Sequence, residues 1–127
     1  MIESSIRNLD VFFKNSNVTT IAVGDKIKVT IFLELPENSN GNDKKGKERT
    51  QVFEGTVISK HLRSDYSDAT VTVRKMFQGG GAEKVFVLNS PWIKSIDIVN
   101  NSIVRRSKLY YLRKRTGKSA RLKRRRS

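Results

Sequence analysis

The 127-residue chain contains no cysteine and a single histidine, His61. The first absence excludes disulfides and thiolate metal centres and leaves the redox compartment open; the second removes most histidine-based metal clusters. No apolar run approaches the ~20 residues that cross a bilayer as a helix. The first residues read as neither a secretory signal nor a transit peptide, because Glu3 and Asp10 interrupt them and no hydrophobic core region follows. Hydrophobic residues make up only 36% of the chain, enough for one domain with a real core plus an arm. A further absence is the most informative: no acidic residue follows Asp97.

Cations stand there instead. The stretch from Arg105 to Arg126 holds twelve Lys or Arg: Arg105, Arg106, Lys108, Arg113, Lys114, Arg115, Lys118, Arg121, Lys123, Arg124, Arg125 and Arg126. The whole chain has 26 basic and 12 acidic side chains, so the part before Arg105 carries 14 and 12, and the net charge of +14 divides into +2 there and +12 in the tail. A patch of that density repels itself and is compacted by a polyanion: nucleic-acid phosphate, an anionic membrane or an acidic protein.

The residues between the charges discriminate among these. Leu109, Tyr110, Tyr111 and Leu112 form one short knot, with Leu122 further on. Membrane-surface helices need a continuous apolar face, which the knot does not supply. Basic side chains interleaved with tyrosine suit RNA, where rings stack and arginine grips phosphate. A localisation signal or a nonspecific basic tail is the bland alternative. Alone, the tail is expected to be disordered, its knot being too small for a core. On RNA it is expected to form a short helix around Leu109 to Lys114, broken near Thr116-Gly117, with a further helical turn beyond Lys118. Arg106, Tyr110 and Arg113 would then share a face, and Leu109 and Leu112 would pack towards the domain or a neighbouring protein. Whether Tyr110 and Tyr111 stack on bases or cover apolar surface is left open by the sequence.

The remaining chain reads as a small β domain. Ile2, Ile6, Leu9 and Phe13 recur at spacings of four, three and four, predicting an amphipathic helix over residues 2–14 that packs on the domain, followed by a connector to residue 20. After the turn at Val23-Gly24-Asp25 the period becomes two, with Ile27, Val29, Ile31 and Leu33 on the buried side. Residues 36–47 contain no apolar side chain and read as an inserted hairpin loop. A second strand runs from about Thr50 to Ser59, and Gly55 within it suggests a bulge or barrel corner. Ala69 to Lys75 forms a third strand with Val71 and Val73 inward, and Phe77 to Gly81 a tight turn whose glycines permit positive φ or close approach to a backbone. Glu83 to Leu88 and Trp92 to Val99 complete five strands, and Ile103-Val104 would return to the sheet. A Gly-rich phosphate loop is excluded at Gly79 to Gly81, because a strand follows rather than a helix starting with Lys-Ser/Thr. The expected fold is therefore mainly β: an SH3-like small antiparallel barrel over residues 21–104, with an OB-type barrel as second choice. A short N-terminal helix (1–20) would precede it and a basic, partly helical C-terminal extension (105–127) would follow.

Catalytic machinery is missing. His61 has no serine or cysteine motif beside it, Asp65 and Asp68 lack the other ligands of a calcium loop, and Glu54 and Glu83 read as strand-edge ion-pair partners. Neither an enzyme nor a cofactor is expected.

The segments together resemble a known family, that of bacterial-type large-subunit ribosomal protein nineteen. The resemblance is carried by VGDKIKV at Val23 to Val29, VFEGTVIS at Val52 to Ser59 and TVRKMFQG at Thr72 to Gly79. It continues with AEKVFVLNSP at Ala82 to Pro91 and RRSKLYYLRKRTGKSARLK at Arg105 to Lys123. It implies a structural constituent of the large ribosomal subunit, in bacterial cytoplasm or plastid stroma. The chain would be present once per ribosome without self-association, binding large-subunit rRNA beside large-subunit proteins fourteen and three and sharing a bridge to small-subunit rRNA. It also implies RNA contacts from Arg74 and Lys75 and from the tail's cations and tyrosines. Two departures stand out: the 36–47 loop is longer than the family pattern, and Asn89 occupies a position where relatives commonly carry histidine. A free basic nucleic-acid-binding module, such as a regulator or nucleoid factor, is the competing reading. A peptide-binding SH3 domain is disfavoured because the few aromatics alternate with core positions.

Overall fold

The computed structural model describes residues 21–34, 49–62, 69–78 and 80–126. The expected N-terminal helix and the 36–47 loop lie outside these residues. Five strands form one antiparallel sheet: β1 (Lys26–Phe32), β2 (Thr50–His61), β3 (Thr70–Phe77), β4 (Gly80–Val87) and β5 (Ile93–Asn100), in the order β4-β3-β2-β1-β5. The domain is mainly β, as its alternating pattern requires, and the sheet is open, with no ladder joining β4 to β5.

One face of this sheet holds the core. Ile27 and Val29 of β1, Val57 of β2, and Val71 and Val73 of β3 are fully buried, joined by Phe86, Ile93 and Ile96. Phe53 meets Phe86 edge-on at 5.7 Å between ring centroids, a favoured aromatic geometry. Ile93 and Ile96 are three residues apart yet both face inward, because β5 gains one residue where its register against β1 passes from Ile31↔Ile93 to Thr30↔Ser95. Ile31 packs at the margin of the core, whereas Leu33, beyond the end of β1, is exposed.

A second irregularity matters more. Against β3, the register of β2 passes from Val57↔Val73 to Ser59↔Thr72, so Ile58 is an extra residue. The bulge allows both Val57 and Ile58 to be fully buried in separate clusters: Val57 in the main core, Ile58 with Leu109 and Leu112 of the tail. Gly55 is not the bend expected of it. Its φ is not positive; instead, a Cβ there would lie 2.5 Å from the Arg74 carbonyl oxygen and 2.9 Å from Val73 Cγ1. The glycine is required by close approach of β3. Of the two uses open to the turn glycines, positive φ is not the one taken by Gly80 and Gly81, which belong to β4. A Cβ on Gly81 would collide with the Arg74 guanidinium, so this residue too makes room.

Ser102–Ile103 (β6) does not return to the main sheet. It pairs with Lys123–Arg124 (β7) in a separate two-stranded sheet, so the end of the tail folds back onto the segment that leads into it. Between them lie two 3-10 helices, Tyr110–Lys114 and Gly117–Ala120. The break at Thr116-Gly117 is where the sequence suggested it, but the turns are tighter than α-helix. Arg115 N–H donates to the Leu112 carbonyl and Leu112 N–H to that of Leu109, spacings of three.

Candidate nucleic-acid interface

The tail is docked on the bulge of β2. Leu109 N–H donates to the Ile58 carbonyl at 2.8 Å, while the Ile58, Leu109 and Leu112 side chains close a small apolar cluster, flanked by Val23, Val104, Tyr111 and Leu122. The knot does not need a core of its own, because the outer face of β2 supplies the missing half. Next to it, Ser59 Oγ accepts hydrogen bonds from Lys108 Nζ at 3.1 Å and from the Tyr110 hydroxyl at 3.3 Å, and Lys108 also reaches the Lys60 carbonyl.

A carboxylate pins the other side of this segment. Glu83, on edge strand β4, accepts two hydrogen bonds from Arg113, Nε to Oε1 at 2.7 Å and Nη2 to Oε2 at 2.8 Å; Arg74 Nη1 reaches the same Oε1 at 2.9 Å. The forked bonding to Arg113 is the main cause holding the Glu83 carboxyl below the usual carboxylate range, against the opposing effect of partial burial, with Arg74 adding to it. Glu54 is likewise an ion-pair partner, of Lys26 at 2.8 Å, and its carboxyl is lowered by that hydrogen bond.

The tyrosines are occupied by arginine. The Arg113 guanidinium lies 4.6 Å from the Tyr110 ring centroid, and Arg106 and Arg115 lie 5.2 and 4.7 Å from that of Tyr111. Arg106 therefore pairs with Tyr111 rather than joining Tyr110 and Arg113 on a shared face. Such stacks hold a planar guanidinium in place without neutralising it.

The sequence-selected residues thus divide by place. Arg74, Lys108 and Arg113 spend donors within the protein, and Arg106 and Arg115 are held on Tyr111. Arg105, Lys114, Lys118, Arg121, Lys123, Arg124, Arg125 and Arg126 are exposed along the docked tail. Lys75 lies on β3, its ammonium 5.1 Å from the Phe77 ring centroid. The anchors Ile58, Ser59 and Glu83 were missed as site residues; the adjacent apolar pair Val57-Ile58, which violates strand alternation, was the available signal for the first.

Among the described residues no group of three or more His, Asp or Glu could hold a metal, and no helix is long and apolar enough to cross a membrane. The fold and the patch define a class: a small β protein displaying a cationic surface on a docked tail. Comparison with known proteins narrows it. The profile of the family described as ribosomal protein L19 matches residues 4–125. A large ribosomal subunit protein bL19c of Mesostigma viride is 47% identical over 118 residues, covering 93% of this chain and 90% of that protein. A bL19 of a Cyanothece species is 48% identical over 120 residues, covering 94% and 91%, and one of a Synechocystis species 45% over 123 residues, covering 97% and 92%. The chain belongs to the ribosomal protein L19 family and is a structural ribosomal constituent, not an enzyme.

Proposed function

We propose that this chain anchors rRNA of the large subunit at the face turned towards the small subunit. There it contributes to a bridge with small-subunit rRNA and sits beside large-subunit proteins fourteen and three. One observation carries the anchoring role: the twelve cations of Arg105 to Arg126 extend from a segment fixed to β2 and β4, with no acid in that stretch. A fixed array loses less conformational freedom on binding than a free arm. The exposed cations of the tail, together with Lys75, take phosphate contacts. Lys108 and Arg113 hold the tail in place, Arg74 fixes the Glu83 carboxylate that Arg113 grips, and Tyr110 and Tyr111 orient the arginines placed on them. Relatives named bL19 and bL19c support a place in the large subunit, in bacterial cytoplasm or plastid stroma.

Co-sedimentation with large subunits through a high-salt wash tests the reading. An integral constituent stays with the particle, whereas a free basic module, bound mainly by counterion release, washes off early. Loss at low salt would refute the proposal.

A further inference from the structure

Tyr110 and Tyr111 carry arginines; outside the tail a further ring, Phe77, carries one lysine and borders an open cleft. Phe77, at the end of β3, is 53% exposed, and Met76 beside it is also exposed. The ring lines an open cleft of about 660 Å³ between the β3–β4 hairpin and the second 3-10 turn of the tail. Met76, Phe77 and Gly80 form one wall; Gly117, Ala120 and Arg121 form the other. Cβ atoms built on Gly80 and Gly117 would meet nothing within 4 Å, so both walls leave room for a flat group. The lining contains no acid, Arg121 supplies a cation on the tail side, and the Lys75 ammonium stands 5.1 Å from the Phe77 centroid.

We propose that this cleft is a nucleobase site, in which one unstacked base of rRNA lies on the Phe77 ring while Arg121 and Lys75 pair with its flanking phosphates. The proposal rests on the rRNA reading above and adds a base contact to a surface otherwise built for phosphate. The chemistry favours a base over an apolar protein side chain. An exposed aromatic ring bordered by cations matches a ligand that is flat, polarisable and attached to anions, whereas an aliphatic side chain brings neither cation an anion. Phosphate contacts alone carry no preference between a strand with bases and one without, so the two contributions are separable.

The test compares binding of the full chain to two probes of equal length and charge, an oligoadenylate and an abasic ribose-phosphate strand, across a salt series. The parent is expected to prefer the oligoadenylate by about tenfold, the scale of one base–aromatic stack. Phe77→Leu, which keeps apolar bulk at an exposed position, should abolish that preference while leaving abasic affinity, salt slope and melting temperature unchanged; Phe77→Tyr should retain it. A preference that survives Phe77→Leu but disappears in Tyr110→Leu or Tyr111→Leu overturns the assignment in favour of the tail. A preference that survives together with loss of incorporation into subunits overturns it in favour of a protein partner. A parent that binds both strands equally removes the base site and leaves phosphate anchoring standing, whereas a parent that binds neither removes the RNA reading itself.

Discussion

Replacing Leu109 by alanine should release the tail without unfolding the sheet. Leu109 is fully buried, and among the described residues its cluster holds three buried residues and the main core eleven. Truncating a buried leucine costs about 2–5 kcal/mol. Among the described residues the tethers that remain are the Leu109 N–H bond to the Ile58 carbonyl, the hydrogen bonds of Lys108 and Tyr110 to Ser59 and of Lys108 to the Lys60 carbonyl, an ion pair on a half-exposed Arg113 and the short β6–β7 ladder, and exposed ion pairs contribute about 0–1 kcal/mol. So small a cluster absorbs little of the loss by repacking, and the cost falls on docking. Hydrogen exchange reads this directly: the amides of Leu109, Leu112 and Arg115 are each hydrogen-bonded within or beneath the tail. A docking loss of about 3 kcal/mol speeds their exchange about 100-fold, while the β3 amides opposite β2 keep their protection. Unchanged exchange at Leu112 and Arg115 would show that the apolar cluster does not hold the tail. Equal acceleration in β3 would show that tail and sheet are a single cooperative unit.

Two more perturbations probe the frame beneath the tail. Gly55→Val should destabilise the domain by about 1–3 kcal/mol through overpacking against the Arg74 carbonyl, lowering the melting temperature by about 10 °C; a melt superimposable on the parent's would refute the close approach. Glu83→Gln should flatten the acid limb of the stability curve. The folded Glu83 carboxyl titrates below its usual value of 4.5, so the unfolded chain takes up the proton first. Its stabilisation is complete above that value and disappears as pH falls through the lower folded one. The contribution is about 1 kcal/mol or less after solvent screening, and identical acid limbs for parent and variant would remove Glu83 as an anchor.

β1 and β3 were legible because their inward residues alternate, Ile27-x-Val29 and Val71-x-Val73 being what a half-buried strand requires, and the other three strands because their turns are marked. Leu109 and Leu112 were also legible as packing residues, being the apolar pair in a polar run. Their partner was not, since Ile58 is turned out by a bulge whose cause is the register of β2 against β3, a long-range property. Gly55 was legible as special but not for the right reason; a bend and a close approach both demand glycine, and only the distance to Arg74 separates them. The pairing of Ser102–Ile103 with Lys123–Arg124 has no local signature in two such short segments. Glu83 was recognised as an ion-pair partner, but its choice of Arg113 depends on where the tail docks. Phe77 was absorbed into a turn because ring exposure is a property of the fold rather than of the residue.

The salt dependence of RNA binding tests most directly whether the docked tail is the electrostatic anchor. Six cations follow Thr116: Lys118, Arg121, Lys123, Arg124, Arg125 and Arg126. Replacing all six by glutamine in the full chain preserves length and leaves the Leu109–Leu112 cluster intact. If about six to ten cations of the parent contact phosphate, its affinity falls about 10³–10⁵-fold between about 50 and 200 mM salt. The substituted chain should bind more weakly, with the slope of log affinity against log salt reduced by about four to five, while its melting temperature stays close to the parent's. A substituted chain that keeps the parent's slope and affinity would contradict the account.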